Sequence, residues 1–253
     1  MSFIFKNRST EKEILDDFEL QGNDLTQNLR ELQLVNSNLG GYSLVKEGIE
    51  LIVDKGNLQS PIKVADVGCG GGDTLRELAK WSVNKPFSLE LTGIDANTNA
   101  IAFAESRSKN YPEIKYRQLN IFSDEFKVLD ADVVLFNLFV HHFEEEQIID
   151  FLKVCRTKNA VVLINDLQRS ALAYSLFKIG SRLFRFSRIS RHDGLLSIRK
   201  AFTRKDLREL LTASDFTDYS IKWKWAFRYQ VIAWEWLKLQ HYFKELCYGQ
   251  KLA

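Results

Sequence analysis

The chain has 253 residues, of which 27% are charged and 45% apolar, and a formal net charge of +2. That length suits one α/β domain with additions, and a charge so near neutrality argues against a nucleic-acid partner. Cys69, Cys155 and Cys247 are odd in number and far apart, which predicts free thiols rather than a disulfide framework. The opening MSFIFKNRS is too short for a signal-peptide core, and no run approaches the ~20 apolar residues of a membrane helix. These features predict a cytoplasmic protein.

Residues 10–36 read as helices, with Ile14, Leu15, Phe18, Leu25, Leu29 and Leu32 at three- and four-residue spacing. Leu39-Gly40-Gly41-Tyr42 interrupts them before a helix from about Ser43 to Val53. This helical N-terminal extension, 1–56, either covers one end of a sheet or forms a lid with Tyr42 reaching into a cleft. A second domain over 57–235 follows. Ile62, Val64, Ala65 and Val67 form a buried-type strand, Gly68 to Gly72 a tight turn, and Leu75, Leu78 and Ala79 the start of a helix. Leu89–Asp95 is a second strand, 97–110 a helix and Ile114–Leu119 a third strand. Ala131–Val140 is almost entirely apolar, as in a central parallel strand covered on both faces. The next helix has Glu144, Glu145 and Glu146 in its first turn and Lys153, Arg156 and Lys158 towards its end, which complements the helix dipole. Ala160–Ile164 is a fifth strand, leading into Asn165 and Asp166.

Residues 170–202 break the alternation as an insertion. Leu172, Leu176, Ile179, Leu183 and Phe186 share a face, with Lys178, Arg182, Arg185 and Arg188 outside it. A basic amphipathic helix over 170–189 is expected, then a polar loop Arg191-His192-Asp193-Gly194. Thr203 and Asp206 have capping-box spacing before a helix to about Ala213. Residues 216–224 and 228–233 read as an antiparallel closing pair, and 236–253 as a C-terminal helix.

Strands alternating with helices from 62 to 166 predict a doubly wound, mainly parallel sheet, whose ligand lies beyond the carboxyl ends of the strands. That directs attention to Asp66, Asp95, Asn120, Asn137 and Asp166. The glycine turn lacks the third glycine of the dinucleotide fingerprint: Asp73 stands there, and an acid at that point repels a pyrophosphate. Gly-Lys-Ser/Thr, the phosphate-loop ending, is also absent.

The pattern present is Asp66-x-Gly68-x-Gly70-x-Gly72, and it resembles the first motif of the class I S-adenosylmethionine-dependent methyltransferases. The resemblance continues through Gly93-Ile94-Asp95, Asn120 in place of the usual Asp, and Asn137-Leu138-Phe139-Val140-His141-His142-Phe143. It implies a Rossmann-like doubly wound seven-stranded sheet, mostly parallel with an antiparallel closing strand. It implies S-adenosyl-L-methionine as cofactor, held by Asp66, Gly68, Gly70 and Gly72, by Asp95 and Ala96 at the ribose, by Asn120 and Ile121 at the adenine, and by Asn137. Four further segments, Asn36-x-x-Leu39-Gly40-Gly41, Asn165–Arg169, His192–Phe202 and Trp223–Arg228, look like bacterial methyltransferases encoded beside polyketide or aryl-pigment enzymes. That similarity implies a phenolic or polyketide-like acceptor and O-methylation in secondary metabolism.

Transfer to a hydroxyl needs alignment and removal of a proton. His142 and His192 are the candidate bases, and Asp166 either fixes the acceptor or caps the next helix. His141 and His142 are expected on an extended segment, pointing opposite ways. No metal-ligand spacing is seen. The amphipathic helix has three readings: a wall for the acceptor, a contact with a membrane surface bearing a lipid or quinone acceptor, or a dimer contact. A non-catalytic S-adenosylmethionine-binding or scaffolding module, and a nicotinamide enzyme, are the rival functions.

Overall fold

The computed structural model describes residues 5–56 and 58–235, so the helix expected over 236–253 lies outside the described residues. Two helices, α1 (Gly22–Asn38) and α2 (Gly41–Gly56), precede the sheet. Then follow β1 (Ile62–Val67), α3 (Asp73–Ser82), β2 (Leu89–Asp95), α4 (Thr98–Arg107), β3 (Ile114–Gln118), the single-turn α5 (Asp124–Lys127), β4 (Val133–Asn137), α6 (Glu145–Thr157) and β5 (Val161–Leu167). The chain continues as α7 (Ala171–Leu183), α8 (Arg188–Lys200), α9 (Arg204–Ala213), β6 (Asp218–Lys224) and β7 (Arg228–Trp234).

The strands form one seven-stranded sheet in the order β3-β2-β1-β4-β5-β7-β6. β1 to β5 are parallel, and β7 runs antiparallel between β5 and β6. The sheet is Rossmann-like, as expected. Strand order reverses between β1 and β4, so a crevice opens beyond their carboxyl ends. The register sets the candidates side by side there, with Val67 opposite Ile94 and Phe136, and Asn137 opposite Asn165.

β1, β4 and β5 are buried almost throughout because both faces are covered. On one face Val64, Leu91, Leu135 and Leu163 pack against Val45, Ile49 and Ile52 of α2 and Leu75 and Leu78 of α3. On the other, Val134, Phe136, Val162 and Ile164 meet Ile148, Phe151 and Leu152 of α6 and Leu207, Leu210 and Leu211 of α9. α2 lies so close to β5 that a Cβ on Gly48 would meet Leu163 at 2.6 Å.

Three expectations are corrected. β4 stops at Asn137 rather than running to Val140: Leu138 takes a φ of 54°, its N–H bonds to Asn165 O at 2.8 Å, and Val140–His142 form a single 3-10 turn. The basic amphipathic segment is two helices, not one. Ser187 breaks it: Glu31, buried on α1, accepts from the Ser187 N–H at 3.0 Å and its hydroxyl at 2.8 Å. That hydroxyl in turn caps α8 by accepting from Ser190 N at 3.1 Å. The expected polar loop at 191–194 is the interior of α8. The expected capping box of Thr203 and Asp206 is present.

Candidate functional site

A cavity of about 1720 Å³ lies at the carboxyl ends of β1, β2, β4 and β5 and is roofed by the N-terminal segment, α1, α7 and α8. α2 covers the sheet, and residues before and along α1 wall the cleft.

The glycine turn forms the floor. Gly68 has a φ of 73°, and a Cβ there would lie 2.0 Å from the Phe139 ring. Only glycine allows both the left-handed turn and an aromatic ring laid across it. Gly72, at φ 69°, precedes the first residue of α3, and a Cβ on it would meet Tyr116 Oη at 2.2 Å. Asp95 accepts from Gly70 N at 3.0 Å through Oδ2 and from Asn97 N at 2.9 Å through Oδ1. Each oxygen keeps acceptor capacity towards the cavity.

Three acids meet on this floor. Asp66 is 1% exposed, and its Oδ1 has no hydrogen-bond partner. Burial, with the charges of Asp73 and Asp95, pushes its carboxyl well above the usual range. Burial likewise raises Asp73, against the opposing hydrogen bond from Tyr42 Oη at 2.7 Å, and raises Asp95 against its backbone donors. A site that makes three carboxyls hard to ionise is one that favours a cation. Tyr42 is not among the cavity-lining residues; its hydroxyl is engaged by Asp73 instead.

Asn137 Nδ2 donates to Thr74 Oγ1 at 2.9 Å, and its Oδ1 accepts from Asn165 Nδ2 at 2.7 Å. Asn165 also donates to Gly41 O at 3.3 Å. These amides tie β4, β5, α3 and the start of α2 together. Gly72, Ala96, Asn120 and Ile121 are not among the cavity-lining residues. Asn120 Oδ1 closes a local turn by accepting from Phe122 N at 2.9 Å, and Ile121 sits in the core beneath.

The far wall is assembled from distant parts of the chain. The imidazoles of His141 and His142 lie 4.3 Å apart, both inside the 3-10 turn. They therefore share a neighbourhood instead of facing opposite ways. His142 lines the cavity, and its Nδ1 is 2.6 Å from Asp16 Oδ1. Burial opposes protonation of His142, but Glu13 and Asp16 outweigh it and raise its pKa. The Asp16 carboxyl is held far below the usual range: burial would raise it, and His142 overrides that. Lys200 adds to this, with Nζ 3.3 Å from Asp16 Oδ2 and 3.7 Å from Glu13 Oε1.

His141 is buried, with Nδ1 2.6 Å from Asp166 Oδ1. Asp166 is fully buried and does not line the cavity. It also accepts from His141 N at 3.2 Å and Leu167 N at 2.7 Å. It neither reaches an acceptor nor caps α7, where Ser170 does the capping. His141 lowers the Asp166 pKa against burial. His192 lies on the outer side of α8, its side chain 52% exposed, and does not line the cavity. Its neighbour Asp193 does, accepting from Ile14 N at 3.0 Å and Leu15 N at 2.9 Å, and so fixes the segment that carries Glu13 and Asp16.

Glu13, His141 and His142 offer ligand atoms within 4.8 Å of one another, although the sequence has no metal-ligand spacing. Asp16 already engages His142 Nδ1, and Lys200 brings a fixed positive charge to Glu13. The ammonium thus supplies the compensation that a bound cation would otherwise give these acids.

Glu13 and Asp16 escape sequence reasoning, and Lys200 and Arg228 fall in segments that the resemblance singles out without giving either a role. Glu13 and Asp16 look like the solvated face of a helix, and no local spacing links them to residues more than a hundred positions away.

The model for a family described as a methyltransferase domain matches residues 64–158. That stretch is under half of the chain and is similar to a methyltransferase domain. It contains the glycine turn, Asp95, Asn137 and both adjacent histidines. No curated protein matches the sequence. Among solved structures, the chain is similar in fold to the CMeT domain of the citrinin polyketide synthase, at 17% identity and a TM-score of 0.54, covering 74% of this chain and 50% of that one. A putative O-methyltransferase from Nostoc punctiforme PCC 73102 gives 14%, 0.56, 82% and 60% in the same order. The plantazolicin methyltransferase BpumL, solved with SAH, gives 19%, 0.53, 79% and 82%. The chain thus spans half to three fifths of the first two.

Proposed function

We propose that the protein transfers a methyl group from S-adenosyl-L-methionine to an oxygen of a small hydrophobic acceptor, of phenolic or polyketide-like type. One observation carries this reading. A single cavity has on its floor a glycine turn ringed by three carboxyls that burial disfavours as anions, and on its wall an imidazole backed by a carboxylate. The polyketide-synthase and O-methyltransferase neighbours support a small-molecule acceptor.

The floor fits the donor. The unpartnered Asp66 Oδ1 suits a cationic ammonium, and Asp95, with one lone pair free on each oxygen, suits two vicinal ribose hydroxyls. Gly68 and Gly70 let the backbone approach the ligand without side chains. With the side chain of Asn120 used locally and Ile121 in the core, 120–121 would meet the adenine only through the backbone, and Ala96, next to Asp95, would flank the ribose. Asn137, bound to Thr74 and Asn165, fixes the end of β4 beneath the reacting centre. The bound donor supplies a methyl carbon activated by a sulfonium. His142, with Nδ1 held by Asp16, presents Nε2 to the acceptor hydroxyl and takes its proton. Asp166 is a positioning residue that holds His141, the neighbour against which the His142 ring rests. His192 has no place in this chemistry.

A second reading has its own observation. Leu172 (59% exposed), Ile179 (67%), Leu183 (75%) and Phe184 (73%) form an uncovered stripe on and beyond α7. Lys178, Arg182, Arg185 and Arg188 are exposed beside it, with no acid between 170 and 192. Leu176, Phe177 and Phe184 line the cavity from the same helix. An anionic lipid surface fits such a face, and the acceptor would then enter from the bilayer. No described helix is long and apolar enough to cross a membrane. Vesicles containing phosphatidylglycerol should sediment the protein, and Ile179→Glu with Leu183→Glu should release it. Equal behaviour with purely neutral vesicles would sink the idea. The buried free thiols of Cys69 and Cys155 support a reducing, cytoplasmic compartment.

Calorimetry tests the donor. S-adenosylhomocysteine should bind and NAD should not, since Asp73 stands where a pyrophosphate would need the third glycine. The reverse result would overturn the reading.

A further inference from the structure

Arg228 opens β7, beside the end of β5, and is 1% exposed. It belongs to the Trp223–Arg228 segment that no part of the proposed chemistry uses. Its Nη2 donates to Asn36 Oδ1 at 3.2 Å, yet Nε and Nη1 have no acceptor. No carboxylate among the described residues forms an ion pair with it. Asp166 and Tyr42 lie close enough to act on its charge, but both Asp166 oxygens are taken by His141 and Leu167, and Tyr42 Oη donates to Asp73. Burial pulls its pKa down to about 10. A guanidinium held in the interior with two idle nitrogens carries a large desolvation cost unless an anion meets it.

Its surroundings indicate which anion. Arg228, Asn36 and Asp73 all line the cavity. Asn36 stands between the other two: its Oδ1 accepts from Arg228, and its side chain lies near enough to Asp73 to help lower that carboxyl's pKa against burial. A cation and an acid are therefore held one amide apart, at the mouth of the glycine turn. That pairing is complementary to a zwitterion, with an α-ammonium among the neighbouring carboxyls of Asp66 and Asp73 and an α-carboxylate on the guanidinium.

We propose that Arg228 is the receptor for the carboxylate at the amino-acid end of the methyl donor, with Asn36 setting its distance from Asp73. The inference rests on the donor assigned above. The planar fork of donors matches the two oxygens of a carboxylate, and charge-assisted bonds of this kind are the stronger class. Asn36 and Gly41 are locked by the same contact: a Cβ on Gly41 would strike Asn36 Oδ1 at 2.6 Å, so the amide stands at the one place the glycine leaves open.

The test compares two ligands on the unaltered protein by calorimetry: S-adenosylhomocysteine and its decarboxylated analogue. Loss of the carboxylate should weaken binding by roughly tenfold or more. Arg228→Gln should weaken S-adenosylhomocysteine to a similar degree and leave the analogue nearly unchanged, and Arg228→Lys should fall between. If the wild type binds both ligands equally, Arg228 does not read the donor carboxylate. If Arg228→Gln weakens both equally, with a lowered melting temperature, its role is structural and the proposal is overturned. If S-adenosylhomocysteine fails to bind the wild type at all, the donor itself is wrong, a result distinct from either.

Discussion

The two walls of the cavity are built in opposite ways. The floor is contiguous: residues 66–74 supply a strand end, a turn and a helix start, and β2 adds Asp95 beside them. The far wall gathers Asp16, His142 and Lys200, of which the first two are 126 positions apart. The floor works through backbone geometry, which a short motif can encode. The wall works through side chains that only folding brings together. The first is therefore the part expected to survive exchange of acceptors, and the second the part expected to change with them.

The largest effect should come from the wall. His142→Ala removes the proposed base and should lower turnover of a methylated phenol by about 10²–10⁴-fold, with little change in S-adenosylhomocysteine affinity. If both fell together, the separation of the walls would be wrong. On the floor, Asp95→Ala should weaken S-adenosylhomocysteine at least tenfold in calorimetry, because two hydrogen bonds to a charged group are lost. Unchanged affinity would remove the ribose assignment.

The pairing of His142 with Asp16 predicts a pH response. His142 is raised, so its share of stability is present below the ordinary imidazole pKa and is lost as pH rises through its own. Asp16 is lowered, so its share is present above the ordinary carboxylate pKa and is lost as pH falls through its own. The pair thus stabilises the fold between these limits. Turnover should rise with pH as His142 becomes neutral. Asp16→Asn should move that rise to lower pH and lower the melting temperature near neutrality, and an unmoved profile would assign the titration to another group. The smallest effect belongs to His192→Ala. An exposed pair with Asp193 should contribute no more than about 1 kcal/mol, and turnover should stay within about twofold. A large loss would bring His192 back into the site.

Much of the fold was legible. The apolar runs of β1, β4 and β5, the Thr203 capping box and the antiparallel pair at the end all follow local rules of periodicity and capping. The misreadings share one cause. The 170–189 helix breaks because Glu31, on another helix, holds Ser187. The strand at 131–140 shortens because Leu138 turns to pair with Asn165. His192 falls outside the cavity and Asp193 lines it because α8 runs through what looked like a loop.

The sequence by itself determined the alternating sheet, the carboxyl-edge position of the cavity and the absence of a dinucleotide fingerprint at Asp73, because those depend on period, glycine placement and local charge. Only the tertiary structure decided that Asp16 backs His142, that Asp166 serves His141, and that Arg228 lies buried with idle donors. Such contacts join residues far apart in the chain, and their energies depend on burial, which no local spacing records.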